Sequence, residues 1–140
     1  MPVLYHGTSR AFTTAMASTP GTIDVTRGRG EFGRGFYTQD SIGNAFRRAY
    51  LLYGNNAALL VLTIDDQAYH ALHFLRLSLN QAQMLNARLR SSKSQHTYTT
   101  IHDVIVGPLV QQPRIEQQKF QTANAQTLLN NSLTQRAVRP

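Results

Sequence analysis

Two short clusters in this chain hold the residue types that do chemistry. In the first, His6 follows the apolar Val3-Leu4-Tyr5 and leads into Gly7, Thr8 and Ser9. A polar side chain beside a glycine at a strand end leaves backbone amides open to a ligand. The plainer alternative is a histidine satisfied by nearby backbone groups. The second cluster is Glu31-Phe32-Gly33-Arg34-Gly35-Phe36-Tyr37-Thr38. If Phe36 and Tyr37 lie in a strand, their side chains alternate, so one fills the core while the other lines a pocket. Arg27, Arg29 and Arg34 flank these glycines. Their planar forks either grip a pyrophosphate by paired hydrogen bonds or face solvent.

Two other patterns carry less. Gly28-Arg29-Gly30-Glu31-Phe32-Gly33 satisfies G-x-G-x-x-G. A dinucleotide fingerprint, however, sits between a buried strand and a helix, with an acid about 20 residues further on. Here the glycines run into strand-like Phe36-Tyr37-Thr38, and no acid stands near residue 53. His70 and His73 are spaced i, i+3, but no cysteine or well-placed acid joins them, so no metal site is expected.

Positioning these clusters requires a frame. Val3 to Tyr5 reads as a short strand ending in a turn over His6 to Ser9, and residues 17 to 35 as a surface loop. Gly35 to Thr38 returns to strand character. Asp40 or Ser41 would cap a helix with Ala45, Phe46, Ala49 and Leu52 on one face, stopped by Gly54-Asn55-Asn56. Ala57 to Ile64 is the clearest buried strand. Leu79, Ala82, Leu85 and Leu89 recur at helical spacing, and Ser91 to Thr100 reads as a loop. Val104 to Val106, closed by Gly107-Pro108, is another strand. Glu116 to Thr122 reads as the last strand and Ala123 to Leu133 as the last helix. Short strands and separated helices of this kind indicate an α+β fold. The expected organisation is one domain over residues 1–134 and a flexible tail over 135–140.

The 140 residues suffice for one core without staples. With no cysteine, disulfides and thiolate metal sites are excluded. No apolar run approaches the roughly 18 residues of a membrane helix, and no basic-then-apolar leader opens the chain. Charge says more: fourteen Lys and Arg face seven Asp and Glu, a net +7, with a pI near 10.4. Twelve of those fourteen are Arg, the better phosphate ligand. Between Gln67 and His102 there is no acid, while Arg76, Arg88, Arg90 and Lys93 all lie there. Such a stretch attracts nucleic acid or a dinucleotide's phosphates, or simply keeps the surface soluble.

Four blocks now stand in order: Leu4-Tyr5-His6-Gly7-Thr8-Ser9; Glu31 to Thr38 followed by Ala45-Phe46-Arg47-Arg48-Ala49; Asp103 to Pro108; and Gln117 to Thr122. Together they resemble the diphtheria-toxin and poly-ADP-ribose-polymerase branch of the ADP-ribosyltransferases. They look still more like a bacterial group of uncharacterised domains assigned to that superfamily. The resemblance covers residues 4 to about 129 and implies split antiparallel β-sheets with flanking helices. It implies that His6 bonds a ribose hydroxyl of NAD⁺, that Gly7 holds the nicotinamide carboxamide through its backbone, and that Thr8 or Ser9 adds a hydroxyl. Tyr5, Arg34, Phe36 and Ala45 would also line the NAD⁺ site. Tyr37 would stack on the nicotinamide, whose cationic ring suits an aromatic face.

This chain departs from the family in two places. A second aromatic usually stands eleven residues after the tyrosine, and here that residue is Arg48; either Tyr50 or Tyr53 compensates, or one face of the ring is left ungripped. The family's glutamate, which steadies positive charge as nicotinamide leaves, aligns with Gln117, with Glu116 adjacent. Strand alternation allows only one of these two to face the pocket.

The resemblance therefore implies transfer of ADP-ribose from NAD⁺, without a metal, to a macromolecule. The basic composition favours RNA or other nucleic acid over protein, with Arg76, Arg88, Arg90 and Lys93 as contacts. The alternatives are an NAD⁺ glycohydrolase and a non-catalytic basic domain that binds RNA. Domains of this type often form the C-terminal warhead of Rhs-type secreted bacterial toxins, and the abrupt start Met1-Pro2-Val3-Leu4 suits a piece of such a protein. The expected place of action is the cytoplasm of the cell where it acts, whether or not it is delivered there as part of a larger toxin, and the expected partner is an acidic immunity or antitoxin protein.

Overall fold

The computed structural model describes residues 1–140. In chain order the elements are β1 (Val3–Ser9), α1 (Arg10–Met16), β2 (Arg29–Gly30), β3 (Gly33–Arg34), β4 (Phe36–Gln39), α2 (Ile42–Tyr53), β5 (Ala57–Ile64), α3 (Asp66–His70), β6 (Phe74–Arg76), α4 (Leu79–Ser92), β7 (Val104–Pro108), β8 (Glu116–Phe120), α5 (Ala123–Asn130) and β9 (Thr134–Arg139). The fold is α+β, with mostly antiparallel strands and flanking helices. No helix is long and apolar enough to cross a membrane. The chain forms two compact units interleaved in sequence: residues 1–23, 38–71 and 127–140, and residues 24–37 and 72–126.

The first unit is organised on β5. Its run Ala57-Ala58-Leu59-Leu60-Val61-Leu62-Thr63-Ile64 is apolar on both faces and almost wholly buried, as a strand with partners on both edges should be. β1 pairs antiparallel along its whole length, from Val3↔Thr63 to Ser9↔Ala57. β9 pairs antiparallel on the other edge, from Ile64↔Thr134 to Leu59↔Arg139. On its far edge β1 meets β4 at Tyr5↔Gln39.

Two expectations are corrected here. Residues His6 to Ser9 continue the strand rather than turn, because each pairs with an apolar residue of β5. The tail expected to be flexible from residue 135 is β9, because the second edge of β5 needs backbone partners. Its alternation was readable: Thr134, Arg136 and Val138 are the more buried positions, and Gln135, Ala137 and Arg139 are exposed. Arg136 adds a clamp, with Nη1 donating to the carbonyls of Leu129, Asn131 and Thr134.

Helix α2 begins where Ser41 accepts a hydrogen bond from the Asn44 amide and ends at Gly54. Its buried apolar face is narrower than expected. Ala45 and Ala49 are sealed, whereas Phe46 and Leu52 are exposed; Phe46 instead stacks on Tyr50 at 6.5 Å. The cause is close approach to β1. A Cβ on Gly7 would lie 2.3 Å from the Ala45 carbonyl oxygen and 3.1 Å from the Ala49 Cβ. Only small residues fit this crossing.

The second unit carries a hairpin and the neighbouring strands β6, β7 and β8. β2 and β3 pair as Arg29↔Arg34 and Gly30↔Gly33 inside the segment expected to be a loop. β6 runs parallel to β7, and β7 antiparallel to β8 from Val104↔Phe120 to Pro108↔Glu116. Helix α4 opens with a capping box in which Ser78 and Gln81 satisfy each other's amides. It buries Ala82, Leu85 and Leu89 against Phe32 and Ile105. Thr122, expected at the end of the strand, turns instead to cap α5 by accepting from the Ala125 amide. Its hydroxyl also donates to Asp103. Burial opposes ionisation of Asp103, but the His73 amide, Thr122 and Asn124 outweigh it and hold the carboxyl below its usual range.

Gly7→Ala should cost about 1–3 kcal/mol, because the added methyl meets a helix carbonyl that cannot yield. Gly43→Ala, on the same helix with open space around it, should instead be neutral or stabilising by up to about 1 kcal/mol. Urea denaturation of both variants checks this.

Candidate active site

In the first unit, Tyr5, His6, Gly7, Thr8 and Ser9 all lie in β1. Alternation puts Tyr5, Gly7 and Ser9 on one face and His6 and Thr8 on the other. Gly7 faces α2, so its missing side chain is explained by packing against Ala45. Ala45 is sealed in that contact. The Ser9 hydroxyl accepts from the Phe12 amide at 3.2 Å and so caps α1. Thr8 is buried, and His6 is half-buried. Arg48 is exposed on α2, as are Tyr50 and Tyr53.

In the second unit the expected residues converge on the turn 31–33. Phe36 points into the core and Tyr37, next along the strand, is half-buried. The Tyr37 hydroxyl accepts from the Phe32 amide at 2.9 Å and donates to the Gly33 carbonyl at 2.6 Å. Its ring lies against Gly30, where a Cβ would come within 2.7 Å of Cζ. Burial first, and the nearby Glu31 charge as well, push the phenol pKa well above its ordinary value despite the Phe32 bond. Tyr37 therefore stays protonated.

Gln117 and Glu116 part company, as strand alternation requires. Gln117 is buried, and its Nε2 donates to Glu31 Oε1 at 2.7 Å and, more weakly, to the Pro108 carbonyl at 3.5 Å. Glu31 Oε1 also accepts from the Val110 amide at 3.0 Å. Glu116 is on the opposite face, 3.7 Å from Arg76 in an exposed ion pair. Glu116 and Arg76 line an open cleft of about 310 Å³ with Leu77, Gly107, Pro113 and Arg114.

The basic residues fall into groups. Arg88 and Arg90 lie toward the C-terminal end of α4, where positive charge favours the helix dipole, and Lys93 caps it. The Arg88 guanidinium sits 5.7 Å from the centre of the Tyr98 ring. Arg76 stands apart from them in β6, over Phe74. Arg29 and Arg34 face each other across the hairpin, and Arg29 hydrogen-bonds His96.

Two residues of this unit escaped the sequence reading. Glu31 is one; opening the glycine motif was its only signal. Lys119 is the other, fully buried, with Nζ donating to the Phe32 carbonyl at 2.8 Å and the Tyr98 carbonyl at 3.4 Å. Its signal was weak, a single lysine alternating with Gln118 and Phe120. Burial, and secondarily the Arg34 charge, pull its pKa from 10.5 down to about 7.

No protein-family model matches the chain, and no curated protein matches it.

The folded state releases a proton from Lys119 that the unfolded chain holds up to about pH 10.5. Stability should therefore rise with pH between about 7 and 10.5, and below pH 7 the full cost of burying the ammonium is present. Thermal melts across that range should show the slope in wild type and a flatter profile in Lys119→Met.

Proposed function

We propose that this chain is an ADP-ribosyltransferase-type enzyme that moves ADP-ribose from NAD⁺ to a macromolecule, RNA in preference to protein. The observation that carries the reading is the convergence on one turn of two residues from distant motifs. Tyr37 bonds the backbone of Phe32 and Gly33, and Gln117 bonds Glu31. These are the positions to which the family resemblance gives the nicotinamide ring and the ribose 2′-hydroxyl.

In the reaction, the bond between ribose C1′ and the nicotinamide nitrogen breaks and its electron pair leaves with nicotinamide, which departs neutral. The electron-poor C1′ then takes a lone pair from an acceptor oxygen or nitrogen, whose proton passes to solvent. The protein's part is to hold the ring, to orient the ribose and to place acceptor groups where positive charge develops. A half-buried aromatic face at Tyr37 suits the pyridinium ring, and His6 is the residue to which the family resemblance gives a ribose contact. The net charge of +7 and the Arg-rich second unit favour a polyanionic acceptor. The role of a toxin or effector domain, with an acidic immunity partner, belongs to the same proposal.

A second reading, a non-catalytic basic domain that binds RNA, has its own observation. Gly30 covers part of the Tyr37 ring, and the Tyr37 hydroxyl is spent on the turn, as a purely structural tyrosine would be.

Labelled NAD⁺ incubated with total RNA, cell protein or neither separates these readings. Label on RNA, falling tenfold or more (on the order of a lost ring contact) in Tyr37→Ala, supports the transferase. Glu116→Ala should stay within about twofold of wild type, because its exposed ion pair contributes little. Free ADP-ribose in every lane would identify a glycohydrolase. Absence of nicotinamide release, with RNA affinity unchanged in His6→Ala/Tyr37→Ala, would carry the binding-domain reading.

A further inference from the structure

Gln117 brings no charge to the position where the family resemblance implies a glutamate, yet a carboxylate stands one hydrogen bond behind it. The amide's orientation is fixed by chemistry. Both of its neighbours, the Glu31 carboxylate and the Pro108 carbonyl, accept hydrogen bonds and cannot donate. The amide must turn its nitrogen toward them and its oxygen away. That oxygen takes no hydrogen bond from the chain. The side-chain atoms sealed without a partner are Gln121 Oε1 and Arg136 Nε, so Gln117 Oε1, on a residue only 4% exposed, keeps a narrow opening to solvent.

Glu31 is itself held in place, with Oε1 accepting from the Val110 amide as well as from Gln117. It forms no ion pair, although the protein carries fourteen Lys and Arg. Asp24 and Glu116, the other acids of this unit with a cation in reach, are paired to Arg27 and Arg76. A carboxylate kept apart from so many cations, and aimed at an amide nitrogen, leaves its charge uncancelled at that point.

We propose that Glu31 is the acidic positioning residue of this site, acting through Gln117: its carboxylate locks the amide so that Gln117 Oε1 faces the ribose 2′-hydroxyl of NAD⁺, and its charge strengthens that oxygen as an acceptor. The proposal rests on the NAD⁺ reading above. Hydrogen bonds in a chain polarise one another, so a carboxylate behind the amide nitrogen makes the amide oxygen more negative. The same charge favours the cationic ribose centre as nicotinamide leaves. The acid and the acceptor are thus divided between two residues, one on the turn before Tyr37 and one on β8.

Nicotinamide release by the full chain tests this, with wild type, Glu31→Gln, and Glu31→Gln/Gln117→Glu side by side. Glu31→Gln can keep the bond to Val110 and removes the charge. Its kcat should fall by about 10–100-fold, with KM for NAD⁺ and melting temperature close to wild type. The double variant exchanges amide and carboxylate, restores a donor facing an acid, and should recover most of the lost rate. A purely structural role would instead lower the melting temperature of Glu31→Gln along with its rate. Wild-type kcat in Glu31→Gln would overturn the inference and leave the transferase reading standing. A drop in melting temperature with no rescue in the double variant would also overturn it, making Glu31 a pin of the turn. If wild type neither releases nicotinamide nor binds NAD⁺ by calorimetry, the transferase reading fails and the assignment of Glu31 fails with it.

Discussion

The second unit depends on how the turn from Glu31 to Gly33 is held. Its three residues are gripped from separate directions: the Phe32 ring in the core, the Phe32 carbonyl by Lys119, the Phe32 amide and Gly33 carbonyl by Tyr37, and the Glu31 carboxylate by Gln117 and Val110. Most of these are polar contacts in buried or half-buried surroundings, where an unmade hydrogen bond costs about 1–3 kcal/mol. A turn fixed in this way has one conformation available. Tyr37 and Gln117, which belong to different strands, are placed relative to each other by sharing it.

Lys119 is the least expected part of that arrangement. A buried ammonium is expensive, and its depressed pKa near 7 expresses the cost. Two carbonyls and the face of Tyr98 receive its charge, but no carboxylate does. Glu31, bonded to the same turn, is directed to Gln117 instead of to the lysine. An ion pair between them would have cancelled the one negative charge at this point. With the acid on an amide and the lysine on carbonyls, no cation is paired with the Glu31 carboxylate.

The first unit solves a different problem with a similar economy of atoms. Its central strand was legible because eight nearly continuous apolar residues, Ala57 to Ile64, have no other reading. Strand β1 was legible in its beginning but not in its length. Nothing local to His6-Gly7-Thr8-Ser9 says that each will find a partner in β5, since pairing is a long-range fact. For the same reason β9 was missed: a polar alternation of six residues becomes a strand only because β5 has an open edge. Gly7 was read as leaving backbone amides open to a ligand, and its missing side chain is what lets α2 come close. The type of residue was a sound signal of close approach; the identity of what approaches was not in the local sequence.

In the second unit the motif residues were legible one at a time and their connection was not. Alternation alone separated Gln117 from Glu116, and the structure puts them on opposite faces of β8 with Glu116 tied to Arg76. What no periodicity could reveal is that the buried member finds an acid from another segment. Composition pointed away from such a pair, since acids are scarce here and Arg abundant. Scarcity is itself informative once the contacts are known. In a chain with net charge +7 a carboxylate readily finds a cation, and Glu31 instead faces an amide. A glutamine backed by such a carboxylate is chemically closer to a glutamate than its name suggests. It presents an oxygen that only accepts hydrogen bonds, with negative charge close behind it.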